Sequence, residues 1–338
     1  MTAFQPHRRR TLKLAAASLA APALLAQSPN AMSASRPTLD AAVLRFGKHE
    51  PATSSCLVIA DVPNGTGWTS AYEPNRYLFV GSAVKTFILA QFLIDTEVGR
   101  NGLSGTKLCD VNDTVRTPGS PVLIELSGQT QYRTALEAMI AHSDNIGTDI
   151  TLAAVGPQRV RELIRQAQLS TPHVPDSTRI LFSYLAGAAP GTDLGWAGMQ
   201  KLEHGDNLGL TPRRDVINDK QTMTSSATDL VNWYRDTLNG RFFHKPETLL
   251  EFKRISAMAD AAWMTVPDGL PAYGKGGSLD WENFHALCFA AQMLVGKTRV
   301  TFCFTWNWLD GKTSVERTGE FIDSVRDVLK AAADAAQT

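Results

Sequence analysis

Apolar and polar positions follow two different rhythms along this chain. At 38–49 apolar residues recur at helical spacing behind Thr38, which can cap a helix. Ser55 to Val62 is a largely apolar run of strand length. Pro63-Asn64-Gly65-Thr66-Gly67 then reads as a hairpin turn into a second strand, Trp68 to Tyr72. After Lys85 come nine residues, Thr86 to Ile94, of which seven are apolar and none is charged. That run is too short to span a bilayer and predicts a helix buried on nearly all sides. Gly99 to Tyr132 reads as loop, and helices are predicted at 133–141, 145–154 and 157–168. Residues 170–225, rich in Pro, Gly and Asp, read mostly as loop with a helix near 179–188. Helical spacing returns at 226–239, opened by Ser225-Ser226, and at 246–257. The tail reads as β structure at Ile255 to Thr265, Ala272 to Ser278, Phe284 to Val295 and Arg299 to Trp308. An amphipathic helix at 317–333 closes the chain.

This order predicts an α+β fold: one antiparallel sheet flanked by N- and C-terminal helices, with an inserted all-α subdomain. A single domain is expected over 36–338, its α/β part at 38–80 and 255–338 and its helical part at 81–254. Such a fold places a cleft at the seam between the two parts. No internal repeat is present.

The first 35 residues follow another pattern. Arg8-Arg9-Arg10-Thr11-Leu12-Lys13 precedes an apolar stretch from Leu14 to Ala26, and no acidic residue occurs before Asp40. A basic segment followed by a short apolar one predicts a cleaved export signal, not a membrane span. The arginines followed by Leu12 and Lys13 resemble the twin-arginine type, which implies a periplasmic protein cut between Ala26 and Ser35. The signal takes four of the 33 basic residues, leaving 29 against 33 acidic ones. No basic patch is dense enough to imply nucleic acid. Cys56, Cys109, Cys288 and Cys303 are too few for a disulfide scaffold and lack metal-ligand spacing. Buried thiols are the default, with a Cys56–Cys303 bridge open in an oxidising compartment. The seven histidines contain no pair with metal-ligand spacing either, and a monomer without cofactor or metal is expected.

Chemistry concentrates in three short stretches. In Val80-Gly81-Ser82-Ala83-Val84-Lys85 a lysine faces the buried helix just described, where lysine is rare unless paired or used. Ser82, three residues earlier, lies about one turn away on the same face. Burial favours the neutral amine, a usable base, and the helix N-terminus favours negative charge on the serine oxygen. A second copy of the spacing, Ser104 and Lys107, sits in a glycine-bracketed turn and reads as loop. His142-Ser143-Asp144-Asn145 precedes the apolar run Ile146 to Val155, and taken alone reads as a helix N-cap. Tyr273-Gly274-Lys275-Gly276-Gly277-Ser278 lies on a predicted strand. Its lysine could mark a strand edge, or offer a point charge to a carboxylate, with glycines that let a substrate approach the backbone.

Taken together and in this order, S-x-x-K, S-D-N and K-G-G resemble the motif set of the serine β-lactamases and penicillin-binding proteins, class A β-lactamases most of all. The resemblance covers about residues 38 to 335. It implies a hydrolase of amide bonds that opens a β-lactam ring through an acyl-enzyme on Ser82, with Lys85 taking or relaying the proton. Ser143 would pass a proton to the departing nitrogen, steered by Lys275. Asn145 would bind the acyl-amide side chain, Gly277 and Ser278 would also contact substrate, and the Ser82 and Ser278 N–H groups would form an oxyanion hole. The substrate would be a β-lactam or a peptidoglycan-like compound.

Two departures matter. Gly276 stands where the family has Thr or Ser, so a hydroxyl that could help hold a carboxylate is missing. Class A enzymes deacylate with a glutamate followed four residues later by asparagine. Glu203 and Asn207 have that separation, yet counting back from Thr222-Met223-Thr224-Ser225-Ser226 lands nearer Asp206. Without such a base the protein would act as a penicillin-binding peptidase, or as another acyl-serine amidase or esterase with slow or absent β-lactam turnover. A non-catalytic binding or sensing domain is the third reading. Trp281, Trp306 and Trp308 can line the cleft beside Lys275 or fill the core.

Overall fold

The computed structural model describes residues 36–337; the export-signal segment lies outside the described residues. The chain opens with α1 (Arg36–Gly47), β1 (Thr53–Asp61), β2 (Trp68–Tyr72) and β3 (Leu78–Phe79). A 3₁₀ turn, Gly81–Val84, leads into α2 (Lys85–Glu97). β4 (Leu108–Val111) and β5 (Gly128–Gln131) follow, then α3 (Tyr132–Ala141), α4 (Asn145–Val155), α5 (Pro157–Gln166), α6 (Thr178–Leu185) and α7 (Gly195–Glu203). Next come β6 (Thr224–Ser225), α8 (Ala227–Leu238), α9 (Pro246–Ser256) and α10 (Asp260–Thr265). β7 (Ala272–Trp281), β8 (Phe284–Val295), β9 (Thr298–Leu309) and α11 (Ser314–Ala336) complete the chain.

The main sheet has the order β2-β1-β9-β8-β7, with antiparallel pairing throughout, so the two ends of the chain meet at β1 and β9. β8 and β9 are buried along nearly their whole length because helices cover both faces. On one face α1 and α11 close a core in which Phe46 stacks on Trp306 at 5.2 Å and meets Phe304 edge-on at 5.1 Å. On the other face α2 and α8 pack against the sheet, Phe87 against Trp233 at 4.5 Å. Ser226 caps α8 and a Thr313–Glu316 capping box starts α11, each satisfying backbone N–H groups that would otherwise lack partners.

The α+β reading stands, with sheet strands from both ends and helices between. Several local expectations do not. Ile255 to Thr265 is the end of α9 and all of α10, not a strand. The stretch from Gly99 to Tyr132 holds the β4–β5 hairpin, and 170–225 holds α7 as well as α6. All four cysteines are free and buried. Cys56 is registered opposite Phe304 and Cys303 opposite Leu57, so the two thiols fall on opposite faces of the sheet and in different cores. A Cys56–Cys303 bridge is therefore excluded by the pleat. Trp306 and Trp308 are core residues under α11, and Trp281 donates its indole N–H to Arg213 O at 2.9 Å.

Candidate active site

The site forms where the turn before α2 presses against the edge strand β7. Gly81 adopts φ +53°, a left-handed conformation that costs any residue with a Cβ about 1–2 kcal/mol. A Cβ at Gly81 would also lie 3.0 Å from both N and O of Ser278. In an antiparallel strand the N–H and C=O of one residue point to the same side, so Ser278 directs both at this turn. Reciprocally, a Cβ on Gly277 would sit 2.1 Å from Val80 O and 2.8 Å from Ser82 N. Turn and strand thus touch backbone to backbone, which brings the Ser82 and Ser278 amides to one place. The missing side chain of Gly277 makes room for this turn; the expectation that it leaves room for substrate is corrected.

Ser82 is half-buried, and its hydroxyl takes no hydrogen bond among the described residues. Lys85 is the first residue of α2, fully buried, its side chain directed toward the end of the helix where Ser82 lies. Lys85 Nζ donates to Ser143 O at 2.6 Å and to Asn145 Oδ1 at 2.8 Å, and stands 3.5 Å from Ser143 Oγ. Burial pulls its pKa well below the ordinary lysine value, the charge of Lys275 pulls further, and Asp144 and Asp149 oppose. The S-x-x-K and S-D-N motifs are therefore in contact, and Lys275 is close enough to act electrostatically on Lys85.

Ser143-Asp144-Asn145 both caps α4 and bonds Lys85. Asp144 caps α4 by accepting from Gly147 N at 2.8 Å, while its other oxygen accepts from Val122 N and Leu123 N at 2.9 Å. This buried carboxylate fixes the loop while its neighbours face Lys85. Ser143 is held at φ +61°, unusual for serine and typical of backbone constrained at functional positions. Asn145 Nδ2 donates to Pro118 O at 2.7 Å, which leaves its second N–H unassigned.

Lys275 is 3% exposed, and its Nζ donates to Gly276 O at 2.9 Å. Burial lowers its pKa to about 7, against an upward pull from Asp260. The free point charge expected of Lys275 is thus a buried amine turned onto its own strand. A Cβ at Gly276 would lie 2.9 Å from Ala261 Cβ on α10. His142 Nδ1, one residue before the Ser-Asp-Asn loop, lies 2.9 Å from Asp260 Oδ2. Sequence reasoning missed Asp260 and gave His142 no role. Their contact spans 118 positions, and no periodicity announces it.

Asp206 is spent on a turn: its Oδ1 accepts from Leu208 N at 2.9 Å, and its own N–H donates to Lys201 O. Glu203 ends α7, which packs on α6, and burial raises its pKa against the pull of His204. Neither is bonded to Ser82, Lys85 or Ser143 among the described residues. Nor is any group of three or more His, Cys, Asp or Glu there placed to hold a metal ion. Ser104 of the second S-x-x-K bonds Lys107 N inside a loop turn.

Comparison with known proteins follows the same lines. The sequence profile of the beta-lactamase enzyme family matches residues 39–280. No protein with a curated description matches the sequence significantly. Among solved structures, a beta-lactamase from Sphaerobacter thermophilus superposes with TM-score 0.66 at 15% identity, over 89% of this chain and 97% of that one. The chromosome-encoded beta-lactamase of Vibrio parahaemolyticus gives 0.63 at 16%, over 87% and 97%. A variant of PBP-A, in an acyl-enzyme complex with penicillin G, gives 0.65 at 13%, over 88% and 96%. At such identities these likenesses show the fold.

Proposed function

Because this chain belongs to the beta-lactamase enzyme family, we propose that it is an acyl-serine hydrolase whose nucleophile is Ser82 and whose reactive substrate class is the β-lactam amide. The observation that carries this reading is the hydrogen bonding of Lys85. A neutral lysine has two N–H donors and one lone pair. Here Lys85 Nζ donates to Ser143 O and Asn145 Oδ1 and stands 3.5 Å from Ser143 Oγ, and in the neutral amine the remaining lone pair would take the Ser82 proton. Ser82 Oγ would attack the carbonyl carbon as its proton passes to Lys85 Nζ. The tetrahedral oxyanion would sit between the Ser82 and Ser278 N–H groups. Collapse breaks the C–N bond, and the proton on Lys85 returns through Ser143 Oγ to the departing nitrogen, leaving an ester on Ser82.

Hydrolysis of that ester needs an activated water. Asp206 is occupied in its turn, and Glu203 is bonded to no member of the site, which favours a long-lived acyl-enzyme over rapid turnover. The protein would then work as a slow β-lactamase or a penicillin-binding peptidase on a peptidoglycan-like amide. The expected export signal would place this activity in the periplasm.

Intact-mass measurement after mixing with millimolar benzylpenicillin tests this. One adduct per chain should form in the wild type, decay over minutes to hours, and be absent from Ser82→Ala. Glu203→Gln should leave the decay unchanged. An adduct in Ser82→Ala rules out the nucleophile, and adduct accumulation in Glu203→Gln would restore Glu203 as the water-activating base.

A further inference from the structure

The wall that β7 presents to the site has one cation in its motif, Lys275, and that amine is bonded to Gly276 O. The β8 residues registered opposite Lys275, Gly276 and Gly277 are Ala290, Phe289 and Cys288, so these positions bring no second positive charge. Burial pulls the Lys275 pKa down to about 7, which weakens it as a fixed positive charge. The flank beside it belongs to α10. Asp260, the first residue of that helix, holds a carboxylate whose charge is felt at Lys275 and which meets His142 Nδ1 across the rim at 2.9 Å. Both partners remain about half exposed, 47% for Asp260 and 50% for His142, so the carboxylate stands at the mouth and not in the core. The next residue, Ala261, puts its methyl 2.9 Å from where a Cβ on residue 276 would lie. A side chain carrying a hydroxyl donor at position 276 would have to displace α10.

We infer that the β7–α10 end of the cleft selects against anions and takes acyl compounds whose group at that end is uncharged. The inference rests on the acyl-serine reading above and narrows its substrate class. A carboxylate laid along β7 would find no hydroxyl donor at position 276, an amine turned to its own backbone, and a like charge from Asp260 at the rim. Rejection by like charge and unpaired polar atoms is a usual source of specificity. An ester or amide in the same place loses nothing to Asp260.

Benzylpenicillin and its methyl ester share ring, side chain and scissile amide and differ in this one charge. Second-order rates of adduct formation on the full chain, followed by intact mass at neutral pH, should favour the ester by at least about tenfold. Asp260→Asn keeps the shape and removes the charge, and should shift the acid-to-ester ratio toward the acid by about the same factor. A free acid that reacts as fast as the ester in the wild type overturns the inference, as does an unchanged ratio in Asp260→Asn. A neutral fluorophosphonate reports on Ser82 independently. Labelling by that reagent with no acylation by either penicillin overturns the inference and the β-lactam substrate class while keeping Ser82 as nucleophile, whereas absence of labelling overturns the nucleophile assignment as well.

Discussion

Lys85 and Lys275 are two buried lysines: burial lowers the pKa of both, and the charge of Lys275 lowers that of Lys85 further. The consequence for stability has a definite sign. The folded pKa of Lys275, about 7, lies below the unfolded value near 10.5. Between those values the unfolded chain binds more protons at this position, so the stability of the wild type rises with pH across the window. Lys275→Met removes the term. In urea unfolding, the variant should gain most over the wild type at or below pH 7, and the gain should shrink by up to roughly 1.4 kcal/mol per pH unit above it. A pH-independent difference would show that the amine is solvated. At this scale the sequence was informative: Ser82, Lys85, Ser143, Asn145 and Lys275 are polar residues set beside apolar runs. Asp260 was hidden because an exposed carboxylate on a short helix looks like any other surface charge.

Among the elements, the seam between β7 and the turn Gly81–Val84 sets the positions of the Ser82 and Ser278 amides. Gly277→Ala would drive a methyl into Val80 O and Ser82 N, forcing the strand and turn apart. Adduct formation should fall by at least about 10²-fold, the scale of losing one oxyanion donor, with circular dichroism unchanged. Gly99→Ala is the matched control. Gly99 is left-handed, at φ +68°, and has nothing within 4 Å of the added carbon. That change should cost about 1 kcal/mol in denaturation and leave acylation intact. Equal acylation in the two variants would sever the seam from the chemistry. The long strands β8 and β9 and the buried helix α2 were legible because their apolar runs persist over many residues. The end of α9 and α10 were misread as strand since Ile255 and Thr265 are β-branched and the residues between them are mostly apolar. The β4–β5 hairpin escaped because four-residue strands with polar faces carry almost no periodic signal.

Across the whole molecule the sheet separates two cores, and the cysteines are divided between them and a smaller cluster beside α3 and α4. Burial raises the Cys56 thiol to about 12 and Cys109 to about 11, and pushes Cys303 well up. A thiol-reactive chromogen should therefore find no fast-reacting thiol in the native protein and four in urea, without prior reduction. Two thiols in urea would mean that a bridge had formed. The order of elements was readable at this scale because both ends of the chain carry strand-like runs around a helical middle. The docking of α10 over β7 depends on contacts between distant segments and was not.

The meeting of β7 with the turn before α2 also orders events in time. Ser82 is translated early, yet the strand that completes its surroundings comes almost two hundred residues later and is held in the sheet through β8 and β9. A nascent chain halted before Thr298 would carry the serine with its partner strand unsupported. On the proposed reading, Ser82 gains its neighbours only when synthesis is nearly finished, and its acylation would report that both ends of the polypeptide have come together.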